Sequence, residues 1–218
     1  MKYLFKFIII LFLTNSQVHS KTINECSELV DKIEKKYNIP NKLLKAISLT
    51  ESGRTIEKEF IAWPWSLNVS GQSYYFNNKL NALSFLQKKI KNQKNIDIGC
   101  MQINFKYHNK NFKNLESMLD PKKNIDWAAQ YIKELYRKYK SWNIAISRYH
   151  SSNPKRMKKY LEKVLNNWSI ERQKRDIYVK NNLLIKKHES IEQLNKIYFE
   201  KNRKKILFFK KELRKKRL

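Results

Sequence analysis

Residues that break or turn a chain are nearly missing here: of 218 residues, three are Gly and four are Pro, where average usage would supply roughly 26. So few turn formers exclude a turn-dense all-β sandwich and disorder of the Gly/Pro-rich kind. A mainly α protein is expected. Apolar residues make up 41% and aromatics 13%, enough for one packed core, and the length suits one domain with an appendage. Two cysteines are too few for a disulfide-dense miniprotein or a four-thiolate zinc site.

Lys and Arg number 47 against 19 Asp and Glu, a net charge of +28. Such a surface attracts nucleic acid, acidic lipid headgroups and anionic wall polymers alike; a composition biased toward Lys, Asn, Ile and Tyr is the blander origin of the same charge. The N-terminus narrows the choice. Lys2 and Lys6 precede an unbroken apolar run from Phe7 to Leu13, followed by polar residues 14–17 and Val18-His19-Ser20, the layout of a secretory signal. The run is far shorter than the roughly 20 residues that cross a bilayer. A signal peptide over residues 1–20, cleaved after Ser20, and a periplasmic destination are therefore expected; an uncleaved anchor is the alternative. Export disfavours nucleic acid as partner. It also permits a disulfide between Cys26 and Cys100, the only pair in the chain, closing a loop worth about 4 kcal/mol in the chain-entropy model. Two separate buried thiols are the alternative.

Hydrophobic spacing predicts helices over 25–37, from Pro40 to Ser52 with Gly53 as a left-handed cap, and over 79–91. Residues 62–77, with Trp63, Trp65, Tyr74 and Tyr75 around Ser70-Gly71, read as a small hairpin or aromatic flap. A loop is expected over 92–104. Asp120-Pro121 opens a helix whose Ile125, Ala128, Ala129 and Ile132 form a stripe. Ser141 caps the next, and Asn153-Pro154 starts one with Tyr160, Leu161, Val164 and Trp168 on one face. From Lys155 on there are 22 basic and seven acidic residues and no Gly. Ile170, Ile177, Leu184, Ile191 and Tyr198 recur every seven residues, but Gln173, Lys180 and Lys187 spoil the companion seam. A charged solvated helix over 169–218 is expected, with a coiled-coil or docking helix as the other reading.

Glu51 is the residue that suggests chemistry. Leu44, Ile47 and Glu51 are spaced by three and four, so its carboxylate continues an apolar helix face. It also lies in the last turn, where the helix dipole opposes negative charge. Both effects raise a carboxyl pKa, as a general acid working near neutral pH requires. From position alone, a structural Glu hydrogen-bonded at a helix end is the commoner case.

Three segments shift that balance: Ala46-Ile47-Ser48-Leu49-Thr50-Glu51-Ser52-Gly53, Gly99-Cys100-Met101-Gln102-Ile103-Asn104 and Ala145-Ile146-Ser147-Arg148-Tyr149-His150. In this order they resemble the signature of the soluble lytic transglycosylase (SLT) family of the lysozyme-like superfamily, over residues 26–168. The resemblance implies a lysozyme-like helical domain with a small β-hairpin over residues 21–168. It also implies cleavage of the β-1,4 bond between N-acetylmuramic acid and N-acetylglucosamine in peptidoglycan, forming a 1,6-anhydro product. Glu51 then matches the catalytic acid/base. Gln102 and Asn104, with Met101, match the segment that lines the sugar cleft, Tyr149 the tyrosine whose hydroxyl sits near the acid, and Ser52 the small polar residue after the acid; all are expected to contact substrate. Cys100 and His150 depart from the usual residues.

Glycosidases usually need two carboxyls, but a substrate N-acetyl group can replace one. Asp97 is the best candidate for a second carboxylate and a hydrolytic outcome; Glu57 and Glu59 follow. The flap aromatics either stack on sugar or form local core. His108 and His150 lack companions at metal-ligand spacing, and no cofactor is expected. The partners expected are peptidoglycan glycan strands and, through the basic tail, an anionic envelope polymer, membrane surface or secretion-machinery protein.

Overall fold

A computed structural model describes residues 25–215; the signal peptide expected over residues 1–20 lies outside the described residues. The chain is mainly α with two small antiparallel sheets. The first helix, α1 (Glu25–Lys36), buries Cys26, Val30 and Ile33. The second, α2 (Leu43–Ser52), starts later than Pro40 because residues 40–42 form a turn, with the Leu43 N–H on the Pro40 carbonyl at 3.0 Å. Lys42 supplies no side-chain cap. Glu34 of α1, 3% exposed, does so instead, accepting the N–H groups of Lys42 at 2.6 Å and Leu44 at 2.8 Å and satisfying donors that a helix start leaves open. Leu43, Leu44, Ala46, Ile47 and Leu49 are all buried, so α2 is apolar on nearly every side, as a helix through the middle of a core must be.

Strands β1 (Gly53–Ile56) and β2 (Glu59–Ala62) form the two-stranded sheet directly after α2. The four-stranded sheet runs β4-β3-β5-β6, built from β3 (Ser66–Val69), β4 (Gln72–Tyr75) and, beyond α3 (Lys79–Lys89), β5 (Ile96–Ile98) and β6 (Ile103–Asn104). The expected hairpin is β3–β4. The loop expected over 92–104 is corrected: it contains two strands, whose Ile96, Ile98 and Ile103 go into the core. Strands of two and three residues are too short to display an alternating pattern.

Helices α4 (Phe105–His108), α5 (Leu115–Leu119), α6 (Pro121–Tyr139), α7 (Trp142–His150) and α8 (Pro154–Lys215) complete the order. Asp120 and Ser141 cap α6 and α7 by accepting the N–H groups of Lys123 and Ile144. α6 buries its expected stripe of Ile125, Ala128, Ala129 and Ile132. Cys26 and Cys100 are disulfide-bonded with their Cα atoms 6.0 Å apart, tying α1 to the turn between β5 and β6.

The first compact unit runs to Arg172. Trp168 donates its indole N–H to the Asn41 carbonyl at 2.8 Å, and the nearly buried Glu171 pairs with Lys45 at 3.2 Å. The second unit begins at Gln173, and there Ile177, Leu184 and Ile191 are exposed, as on a solvated helix. No helix among the described residues is long and apolar enough to cross a membrane.

Candidate active site

Glu51 stands in the last turn of α2, where the chain turns abruptly into β1. Gly53 is not the left-handed cap expected of it; its backbone is extended (φ −63°, ψ 134°). Glycine is needed there for closeness, since a Cβ would lie 2.1 Å from the Leu49 carbonyl oxygen and 2.3 Å from the Phe60 ring. That close approach lets β1 leave the helix directly after the glutamate.

The other wall comes from the β5–β6 turn, residues 99–102, which Asn124 holds from below. This fully buried amide accepts the Met101 N–H at 2.9 Å and donates to the carbonyls of Ile98 and Met118, both at 2.9 Å. Gly99 is required on two counts: its φ is +77°, and a Cβ would sit 3.0 Å from the Asn124 amide. The turn presents Gln102, whose amide nitrogen donates to the Gly99 carbonyl at 2.9 Å and to Ser66 Oγ at 3.1 Å. Its side-chain oxygen is what Gln102 can offer a ligand. Asn104 donates to Asp97 at 2.8 Å across the β5–β6 pair.

Between these walls lies a cleft of about 550 Å³, and Glu51, Asp97, Gln102, Asn104, Tyr149 and His150 line it. Burial pushes the Glu51 carboxyl up to about 8; the Asp97 charge adds to the rise, while a hydrogen bond from Tyr160 and the Lys163 charge oppose it. The Tyr160 hydroxyl donates to Glu51 Oε1 at 2.6 Å. Tyr149 donates its hydroxyl to the Met101 carbonyl at 2.9 Å, and burial together with the Glu51 charge holds it well above the usual tyrosine value. It is therefore neutral at working pH. Burial raises Asp97 too, against the hydrogen bond from Asn104. A half-hidden carboxyl that keeps its proton near neutrality, facing a groove of sugar size, can deliver that proton to a bound oxygen.

One side of the cleft is aromatic. Trp127 and Tyr131, one turn apart on α6, stack at 5.1 Å, and His108 packs on Trp127 at 4.6 Å. All three line the cleft and offer apolar faces of the kind pyranose rings stack upon.

Comparison with protein families gives one match, the Transglycosylase SLT domain, over residues 81–167. Residues 81–167 are thus similar to a transglycosylase SLT domain. No curated protein and no solved structure gives a match. The two small sheets on a mainly helical body are the lysozyme-like arrangement. The SLT match takes in Gln102, Asn104, Tyr149 and Tyr160, while Glu51 comes from outside the matched residues and reaches the same cleft through the fold.

Two expected substrate contacts are corrected. Ser52 is 1% exposed and donates its hydroxyl to the carbonyls of Ser48 and Cys100, locking α2 to the β5–β6 turn. The Met101 side chain is fully buried in the core, and only its carbonyl takes part, accepting from Tyr149. Neither lines the cleft. The flap aromatics do not line it either: Trp63 and Trp65 are buried, Tyr74 packs on Phe85 at 4.7 Å, and Tyr75 lies under Arg54. Glu57 and Glu59 are exposed at the β1–β2 hairpin, leaving Asp97 as the second carboxyl of the cleft. Tyr160, Trp127 and Tyr131 escaped the sequence reading as site residues. The aromatic pair at i, i+4 beside the α6 core stripe was a usable signal; the Tyr160–Glu51 bond, 109 residues apart, had none. Among the described residues, no group of three or more His, Cys, Asp or Glu is placed to hold a metal.

Proposed function

We propose that the chain is an exported lytic transglycosylase of peptidoglycan that uses Glu51 as its single acid/base. The observation that carries this reading is the Glu51 carboxyl in the wall of the cleft, held by the Tyr160 hydroxyl and driven by burial up to about 8. A muramyl unit bound beside Glu51 presents its glycosidic oxygen to that proton. As the C–O bond breaks, the substrate's N-acetyl carbonyl oxygen bonds to the anomeric carbon, so no second carboxyl is required. The Glu51 carboxylate then takes the proton of the muramyl 6-hydroxyl, whose oxygen displaces the N-acetyl oxygen and closes the 1,6-anhydro ring. Gln102 orients the sugar through its side-chain oxygen, and Asn104 shapes the same wall while holding Asp97. Tyr149, neutral and anchored on Met101, offers its hydroxyl oxygen as an acceptor.

The test is digestion of purified sacculi with mass spectrometry of the released fragments. Anhydro-muropeptides are expected, and Glu51→Gln is expected to lose about 10²–10⁴-fold in rate with its circular dichroism unchanged. Full activity in that variant would overturn the assignment.

The presence of Asp97 in the same cleft favours one second reading, a hydrolytic muramidase in which that carboxylate acts on water or on the anomeric carbon. Reducing ends in the products, together with loss of activity in Asp97→Asn, would select it. The strongly basic residues beyond Arg172 have a separate proposed task, holding the enzyme on an anionic envelope polymer.

A further inference from the structure

Resting on the reading above, we infer that the enzyme recognises a carboxylate carried by the muramyl substituent, in a second cavity on the α8 side of Glu51. This cavity, about 170 Å³, is lined by Thr50, Glu51, His150, Tyr160 and three cations, Arg156, Lys159 and Lys163. Glu51, His150 and Arg156 also line the main cleft, so a sugar bound there can place a side group in the smaller cavity. Arg156, Lys159, Tyr160 and Lys163 follow the i, i+3, i+4, i+7 spacing of a single helix face. The stripe that brings the Tyr160 hydroxyl to Glu51 therefore brings three positive charges to the same place.

None of the three cations takes part in an ion pair among the described residues. Their position works against the acid they surround, because a nearby cation favours the ionised carboxyl, and Lys163 does pull Glu51 down. Burial, and after it the Arg156 and Lys163 charges, opposes protonation of His150, whose ring lies flat on Tyr160 at 4.4 Å, so the imidazole adds no fourth positive charge to this wall. Three unpaired cations around one small cavity fit an anion, and Arg156 can take a carboxylate through two parallel N–H bonds. A muramyl unit has such an anion in two forms: the carboxylates of its attached peptide, or the lactyl carboxylate left when the peptide is removed.

The experiment measures binding in the Glu51→Gln background, so that no probe is cleaved, with three probes: glycan strands with peptides, strands stripped of peptides by an amidase, and a neutral N-acetylglucosamine oligomer. Replacing Arg156, Lys159 and Lys163 together by Gln is expected to weaken binding of the peptide-bearing strands about tenfold, roughly what a few partly exposed ion pairs supply, and to leave the neutral oligomer unchanged. The charge-conserving triple variant Arg156→Lys, Lys159→Arg, Lys163→Arg is expected to keep most of the affinity. A loss confined to peptide-bearing strands identifies the peptide carboxylates, a loss confined to stripped strands identifies the lactyl carboxylate, and an equal loss on both shows that the cavity takes either anion. An equal effect on the neutral oligomer, or none on either muramyl probe, overturns the inference. Failure of the wild type to cleave sacculi would defeat the proposed reaction while this binding comparison still gave its own answer.

Discussion

Tyr160 and Asp97 act on Glu51 in opposite senses, and the sign of each effect can be read in a pH–rate profile. The acid must carry its proton, so activity should fall as pH rises through about 8, the value to which burial drives this carboxyl. The Tyr160 hydrogen bond favours the ionised form. Tyr160→Phe should therefore move the alkaline limb to higher pH while lowering the rate about tenfold, because the carboxyl loses the partner that orients it. Asp97→Asn removes a repelling charge and should move the limb to lower pH. A profile unmoved by either change would mean that Glu51 is not the titrating acid. Stability obeys the same linkage. A carboxyl at 4.5 in the unfolded chain and about 8 in the fold contributes fully below pH 4.5, and its contribution declines as pH rises to about 8. Glu51→Gln should thus be more stable than the wild type at pH 8, by roughly 4 kcal/mol at most, and equal to it at pH 4, as read by thermal unfolding at the two pH values.

The β5–β6 turn is the element on which the cleft depends, because it places Gln102 and Asn104 and carries the carbonyl that anchors Tyr149. Asn124→Ala would strand three buried backbone groups, of Met101, Ile98 and Met118. At about 1–3 kcal/mol for each unsatisfied group, the loss should exceed that of an ordinary core truncation, measurable by urea unfolding, and the remaining folded protein should bind glycan poorly. Gly99→Ala should also destabilise, by about 1–3 kcal/mol, since a Cβ there meets both a positive φ and the Asn124 amide. Nothing in the sequence marks Asn124: a polar residue next to Ile125 on an amphipathic helix reads as the edge of the solvent face. What was legible were the long helices, whose apolar stripes repeat over ten or more residues, and Glu51, a charge continuing such a stripe. What was not legible depends on contacts across the fold, such as Glu34 capping α2, Tyr160 reaching Glu51, or three-residue strands that exist only because β3 and β6 flank them. Ser52 and Met101 were misread for a related reason, since adjacency in a motif does not say which side chains face the cleft and which hold its wall.

At the scale of the whole molecule, wall cutting and wall holding should be separable. The compact unit that ends at Arg172 contains every cleft residue and the disulfide, and stopping there, not at Trp168, retains the Lys45–Glu171 pair. Residues 173–218 carry 16 Lys and Arg against five Asp and Glu, a charge that attracts anionic polymer without regard to sequence and is screened over about 10 Å at 0.1 M salt. A chain ended after Arg172 should cleave short soluble glycan strands within about twofold of the full-length rate, because the chemistry and the binding groove are intact. On insoluble sacculi it should fall behind at low salt, where attraction to the polymer concentrates the full-length enzyme on its substrate, and the difference should shrink as salt rises toward 1 M, where screening reaches about 3 Å. Pelleting with sacculi across a salt series, run beside release of soluble fragments, measures both quantities. Equal pelleting of the two chains at low salt would refute the anchoring role, and loss of cleavage of the short strands would show that the tail serves the reaction itself.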